Sequence, residues 1–392
     1  SFTRDIVEDP VRPGLLYVGT ENRLYVSLND GDNWIEWTNN LPASPKYGLV
    51  VQEHFGDLVI GTYGRGFWIM DDLSPLQQLD QEVFDRSAHL FEPRDAYRFN
   101  SRTAPAVMTN DQSDGEGPSN AALINYWIGE EMAGSEATLR IWDADGKMIR
   151  EIDGPSNTGI NRVEWDFRDD GGQAATLRTK PKYADWYDLG SDRERSAGSI
   201  AALRYPPGTY TVTLEIGDQD FSQTLNVIKD PNSEGSINDI MAQFDLAQKI
   251  RVDQMLAAET VSRIEWVRRQ LYDLIDIMDD QGGSEDLVET AGTIDAALVV
   301  IEDELLQLQV TGTGQDQVRY PGKALERLNY LLGGVTTADF RPTDQHIEVQ
   351  AILRDIANDA KVNLDALLDN ELSEFNEALT ERGLNLLVSP EE

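Results

Sequence analysis

Cysteine is absent from this 392-residue chain, which excludes disulfides and thiolate metal sites and leaves the redox character of its compartment unwritten in the sequence. Histidine is almost as scarce. The three present, His54, His89 and His346, lie far apart, which argues against a zinc cluster. Basic residues number 33 against 70 acidic ones, a formal net charge of -37. A phosphate backbone or an anionic bilayer would be repelled by almost any face, which argues against nucleic acid as a partner. Such an acid excess suits a soluble protein in a salty medium or one that holds divalent cations. Ca2+ is therefore the one cofactor left open, and no metal ligand set is assigned. Long apolar runs are missing too, so no membrane insertion is expected. The opening "SFTRDIVEDP" has neither an initiator Met nor a charged-then-apolar signal pattern. Because it starts in mid-pattern, the sequence reads as part of something longer. No phosphate-binding Gly loop, Gly-x-Ser-x-Gly elbow or His-Glu-x-x-His helix is found.

What is present is 40% apolar residue content, enough for two or three ordinary cores in a chain of this length. Residues 27–34, "SLNDGDNW", lie between two short strand-like runs, 23–28 and 35–38. They form a hairpin turn in which Asn29 can bond backbone amides, Gly31 can take a positive φ and Trp34 can wedge between layers of sheet. Laying Gly19-Thr20 over Gly61-Thr62 gives an offset of 42 at which "LLYVGTENRLYVSLND" matches "DLVIGTYGRGFWIMDD". Arg23 then meets Arg65, Tyr25 meets Phe67 and Asp30 meets Asp72. A period in the low forties made of short apolar strands is the signature of propeller blades, and two of them cannot close a ring. The reading is of the last blades of a larger propeller, with Trp34 buried between adjacent sheets.

"SLNDGDNW" resembles the Asp-box of BNR-repeat proteins, whose pattern runs Ser/Thr, any, Asp, any, Gly, any, any, Trp. Ser27, Asn29, Gly31 and Trp34 occupy the four defined places, and Asn29 departs from the Asp. "GTYGRGFWIMDDLSPL" resembles the closing blade of the bacterial sortilin-type, BNR-repeat proteins often labelled glycosyl hydrolases. The resemblance covers residues 1–80 and implies a structural turn on a blade rim. It also implies a secreted, periplasmic or cell-surface protein. The same box occurs in sialidases, in xyloglucan-cleaving enzymes and in receptors that cleave nothing.

Residues 81–120 read as a linker and packing segment. From Ala121 strands alternate with turn signals, with Asp143 to Gly146 as a hairpin tip and "PPGTYTVTLEIGDQDFSQTLNVIKDP" as a long strand pair. This is β-sandwich patterning. Residues 121–230 resemble the immunoglobulin-like domain of the flagellar hook-capping protein. The stretch 171–204 is an insertion into that pattern. Its Tyr183, Trp186 and Tyr187 can stack on a sugar ring, or they can tack the loop onto a neighbouring domain, which is the reading favoured for loop aromatics.

Past "KDPNSEGS" the period becomes helical over 236–385. Ser236 can cap a helix running to Asp280 through Ile240, Phe244, Ala247, Ile250, Val261, Ile264, Leu271, Ile275 and Met278. Ser284 can start a second helix, Pro321 opens a third, and a fourth follows "RPTDQ" through Ile347, Ile352, Ile356, Leu364, Leu368, Leu372 and Phe375. Short connections predict an up-down bundle. Asp279, Asp280, Glu302, Asp303 and Glu304 read as a solvated acidic face.

The fold class is thus multidomain, β then α: terminal propeller blades, an Ig-like sandwich and a helical bundle. Glycoside hydrolysis needs two carboxyl groups flanking the bond, and only Arg65, Asp71 and Asp72 are candidates in the blades. Because Arg65 and Asp72 have counterparts in the other blade, architecture is favoured over catalysis, with Arg65 paired to rim carboxylates. The sequence reads as a non-catalytic binding or assembly scaffold of a secreted or cell-surface bacterial protein, with a protein or carbohydrate ligand. The alternative is a glycoside hydrolase, sialidase-like or glucan-cleaving, whose catalytic blades lie upstream of residue 1. The pattern leaves the oligomeric state open.

Overall fold

The computed structural model describes residues 2–38, 40–100, 119–180, 195–196, 200–281, 285–309 and 320–389. β-Sheets come first and a helical region follows, as the change of rhythm predicts. The chain divides into two compact units, Ser1–Asp169 with Tyr205–Ser233, and Asp170–Arg204 with Glu234–Glu392.

The first unit opens with a four-stranded antiparallel sheet in sequential order, β1 (Thr3–Glu8), β2 (Leu16–Thr20), β3 (Leu24–Ser27) and β4 (Ile35–Trp37). A three-stranded sheet follows, β5 (Lys46–Gln52), β6 (Asp57–Thr62) and β7 (Phe67–Met70), again in sequential order. Tyr17, Leu24 and Val26 of the first sheet, with Leu15 just before β2, share one core with Leu49, Val51, Leu58 and Ile60 of the second. The alternation of apolar and polar positions along these short strands is what a sheet with one covered face requires.

The repeat is real but its offset is not uniform. Leu16 pairs with Ser27 and Leu58 with Met70, so β2 matches β6 at 42 residues while β3 matches β7 at 43. The first turn closes from Thr20 N–H to the Arg23 carbonyl, the second from Thr62 N–H to the Gly66 carbonyl, one residue further on. Gly64 and Gly66, at φ of +75° and +71°, absorb the extra residue where a side chain would be strained. Phe67 therefore stands where Leu24 does, and not where Tyr25 does.

Residues 81–100 do more than link. After helices α1 (Ser74–Gln78) and α2 (Gln81–Phe84), strand β8 (Ala88–Leu90) joins a sheet with β10 (Ala122–Ile128) and β13 (Gly159–Trp165) in the order β13-β10-β8. Strand β9 (Ala96–Arg98) lies parallel to β17 (Gln219–Lys229). It completes a five-stranded sheet ordered β12-β11-β16-β17-β9, with β11 (Ala137–Trp142), β12 (Met148–Gly154) and β16 (Gly208–Ile216). The two sheets meet where Trp165 and Tyr210 stand edge to face at 5.1 Å. The tip between β11 and β12 is tied as its residues dictate, the Asp143 carboxylate accepting from the N–H groups of Asp145 and Lys147 with Gly146 at φ +78°.

In the second unit α3 (Ile237–Gln281) is followed by α4 (Glu285–Leu305), α5 (Ala324–Thr336), α6 (Asp344–Leu367), a π-helical turn (Leu368–Leu372) and α7 (Ser373–Glu381). Ser236 Oγ accepts from Asp239 N–H while the Asp239 carboxylate accepts from Ser236 N–H, a reciprocal cap that fixes where α3 starts. The Ser284 start lies outside the described residues. The third helix begins at Ala324, after the Glu326 carboxylate has taken the Lys323 N–H. In α6 the sequence series errs: Ile347 and Ile352 face solvent, and the buried stripe is Gln350, Leu353, Ala357, Ala360 and Leu364. Small alanines let helices approach closely, and they carry too little hydrophobic signal to mark that face against two exposed isoleucines.

The insertion belongs to this second unit. Strand β14 (Thr176–Leu177) pairs with β15 (Arg195–Ser196), and Ala175, Leu177 and Ile200 are buried in one core with Ala258, Val261 and Ile264 of α3.

Candidate functional site

The turn at 27–34 is closed by two side chains. Ser27 Oγ accepts from Gly31 N–H at 2.9 Å, and Asn29 Oδ1 accepts from Asn33 N–H at 2.9 Å. Asp30 and Gly31 carry positive φ of 55° and 86°. Asn29 supplies the oxygen that an Asp would supply there, so the departure from the Asp-box pattern leaves the tie intact. Trp34 corrects the sequence reading: it is 41% exposed and is not wedged between sheets. It precedes β4, the outer edge of its sheet, and its ring rests against Gly31.

Arg65, Asp71 and Asp72 are not brought together. Arg65 sits exposed at the β6–β7 turn, its carbonyl accepting from the Trp68 indole N–H at 3.1 Å. Among the described residues no carboxylate pairs with its guanidinium, whereas Arg23 does pair with Glu36 at 3.1 Å. Asp71 is half-buried, and its carboxyl is pushed up by burial first and by the neighbouring Asp57 second, with Arg162 and Arg94 pulling the other way. The Asp72 carboxylate is withdrawn from solvent altogether. At φ +62°, a conformation Asp tolerates better than most residues, it turns inward. Its Oδ2 accepts from Asn125 Nδ2 at 2.7 Å and its Oδ1 from Ser74 N–H at 3.1 Å, with Arg94 Nε at 3.9 Å.

Around it lies a closed polar node. Asp57 Oδ1 accepts from Asp72 N–H at 2.8 Å and from Arg94 Nη1 at 2.9 Å, and Arg162 Nε donates to Asn125 Oδ1 at 2.8 Å. Arg162 Nη2 also donates to the Asp71 carbonyl at 2.9 Å. Arg94 meets the Asp57 and Asp72 carboxylates, while Arg162 is satisfied by the Asn125 amide oxygen and backbone carbonyls, and pairing of this kind is how such groups tolerate burial. The node ties the second repeat sheet to β10 and β13. Beside it opens a cleft of about 300 Å³ lined by the rings of Phe55, Tyr97 and Phe99 together with Asp57, Arg94 and Asp95. Tyr97 and Phe99 stack at 5.2 Å, and the Tyr97 hydroxyl lies 3.3 Å from His54 Nε2. No spacing in the sequence announced this group, because its members come from four separate segments.

In the second unit the insertion is held by Glu265. That carboxylate accepts from the N–H groups of Arg178 and Thr179, the second at 2.6 Å, and from Thr179 Oγ1 at 2.7 Å. Arg178 lies over the Trp266 ring at 4.7 Å. Tyr183, Trp186 and Tyr187 lie outside the described residues. Arg268 gathers Glu265 at 3.1 Å, Asp295 at 2.8 Å and Glu302 at 2.6 Å. Glu302 thus corrects the solvated-face reading: it is buried, while Asp303 reaches the surface and pairs with Lys323 at 3.0 Å. Burial, then the Glu265 charge, pushes the Glu302 carboxyl up to about 8.

Among the described residues no cluster of three or more His, Asp or Glu is placed to hold a metal ion, and no helix is long and apolar enough to cross a membrane. Compared with known proteins, the chain matches no family model and no curated relative.

Proposed function

We propose that this chain is a non-catalytic binding or assembly scaffold of a secreted, periplasmic or cell-surface bacterial protein. In this reading the two repeat sheets are blades of an Asp-box β-propeller, the paired sheets after them are an Ig-like sandwich, and the helices are an up-down bundle. The observation that carries the reading is the Asp72 side chain, out of solvent and consumed by Asn125, Ser74 and Arg94. Glycoside cleavage needs two carboxyl groups that both reach the bond, one as acid and one as base or nucleophile. Of the two candidates only Asp71 has any access, so the pair supports a hinge between sheets better than a hydrolytic centre. The ligand class that fits the reading is a protein or a carbohydrate.

The test is a panel of chromogenic sialosides and glucosides against the 392-residue chain and its Arg65→Ala, Asp71→Ala and Asp72→Asn variants. Background rates throughout are expected. Turnover that disappears in Asp71→Ala would replace the scaffold by a glycoside hydrolase.

A further inference from the structure

The cleft beside the Asp72 node lies wholly within the first unit, and its walls are aromatic. Phe55 closes it from the turn between β5 and β6, while Tyr97 comes from β9 and Phe99 from the residue just after that strand. Residues two apart on an extended strand share a face, which brings the second pair together. Tyr97 and Phe99 lie nearly parallel, 15° apart with centroids at 5.2 Å, whereas Phe55 stands at 72° to Tyr97 with centroids at 5.8 Å. The rings make a corner. It is set in advance, because Phe55 N–H donates to Gln52 Oε1 at 2.7 Å and the Arg94 guanidinium donates to the Phe55 carbonyl. Walls fixed before a ligand arrives spare it that ordering cost.

The charge around the corner is negative. Asp57 and Asp95 line the cleft with Arg94, Asp72 stands behind Arg94 at 3.9 Å, and Ser119 on the rim donates its hydroxyl to Glu164 at 2.5 Å. Against these carboxylates stand the guanidiniums of Arg94 and Arg162, both already bound to acceptors of the node. An anion is therefore disfavoured. A sugar would bring several hydroxyl groups to be paired, yet Asp57 Oδ1 already accepts from Asp72 N–H and Arg94, and Asp95 Oδ1 from Asn226 Nδ2. A methylated ammonium group brings positive charge with no N–H to satisfy, and aromatic faces attract it.

We infer that this cleft binds the methylated ammonium group of a small organic cation, with Phe55, Tyr97 and Phe99 as its walls and the exposed Asp95 as its counter-charge. The cavity volume of about 300 Å³ stands at the lower end of small-molecule sites, roughly 300 to 1,000 Å³, so the guest is one small molecule. The site is independent of the scaffold reading and of any glycosidic chemistry.

The test is isothermal titration calorimetry of the 392-residue chain with choline, ethanolamine, methyl glucoside and dimethylbutanol, the uncharged carbon isostere of choline. Choline is expected to bind about fivefold or more tightly than dimethylbutanol and more tightly than ethanolamine. Phe55→Leu is expected to weaken choline about fivefold and Asp95→Asn several-fold. Both side chains are exposed, so the circular dichroism and thermal midpoint of each variant are expected to match the parent, which separates lost recognition from lost fold. Absence of choline binding up to millimolar concentration, equal affinity for dimethylbutanol, or tighter binding of ethanolamine overturns the inference. So does methyl glucoside binding that disappears in Phe55→Leu, which would make the cleft a sugar site. The hydrolysis panel is unaffected by any of these titrations, so the two readings fail separately.

Discussion

Arg268 Nη1 donates to Glu302 Oε2 at 2.6 Å between α3 and α4, with neither side chain more than 4% exposed. Glu265 lies against the same guanidinium. Two deeply buried carboxyl groups thus share one buried cation, and among the described residues Glu302 Oε1 has no hydrogen-bond partner.

A pH dependence follows. The Glu302 carboxyl is raised from 4.5 to about 8, so the folded state holds a proton that the unfolded chain releases. The stability this confers is fully present below about 4.5 and is lost as pH rises through about 8, at about 1.4 kcal/mol per pH unit between those limits. Denaturant titrations of the chain at pH 6 and pH 9 are expected to show the loss, and Glu302→Gln, which keeps the shape without the titration, is expected to remove it.

Glu265→Ala leaves Arg178 N–H, Thr179 N–H and Thr179 Oγ1 without their acceptor and strips Arg268 of one counter-charge. Breaking such a buried network costs about 3 to 5 kcal/mol. Amide exchange at Arg178 and Thr179 is expected to accelerate more than exchange in α4, which separates release of the insertion from general loosening.

Asp72→Ala is expected to destabilise the first unit by about 2 to 4 kcal/mol, since Asn125 and Ser74 N–H lose a buried acceptor, Arg94 loses a counter-charge and Ala tolerates a positive φ poorly. Asp72→Asn keeps an oxygen for Asn125 and suits the backbone, so its cost is expected to be roughly half as large. Chemical denaturation of the two variants side by side measures the difference.

Trp34→Ala and Leu24→Ala differ in the opposite sense to their sizes. The half-exposed indole covers a turn and is expected to cost about 1 kcal/mol, whereas the fully buried leucine costs about 2 to 5 kcal/mol. Equal losses in thermal scans would show that the ring packs more deeply than its exposure indicates.

How far the sequence could be read depended on whether the deciding force was local. Ser236 announced the start of α3 because a cap needs only residues three apart, and Asp143 with Gly146 announced a hairpin tip for the same reason. The Gly19 and Gly61 match exposed the repeat, but the extra residue between Thr62 and Gly66 shows only when strands are paired. Glu302 looked like part of an acidic surface because its counter-charge lies on another helix, at Arg268. The node around Asp72 was invisible for the same reason: Asp57, Arg94, Asn125 and Arg162 meet it only after four segments have folded. In α6 two isoleucines outweighed two alanines in the pattern, although it is the alanines that face the core.

The chain passes between its two units three times, at 169–170, 204–205 and 233–234. Neither unit is a continuous stretch of gene, so no single stop codon separates them. A product ending at Ser233 would retain residues 170–204 while losing Glu265 and the α3 surface that they pack against, and would carry a stranded segment with buried-type side chains such as Leu177 and Ile200 turned to water. A clean excision of the first unit has to remove that segment as well and rejoin Asp169 to Tyr205. Conversely, the helical unit obtained alone needs residues 170–204 supplied as a separate strand or grafted elsewhere. Evolutionary shuffling of these units meets the same obstacle, so they are expected to travel together.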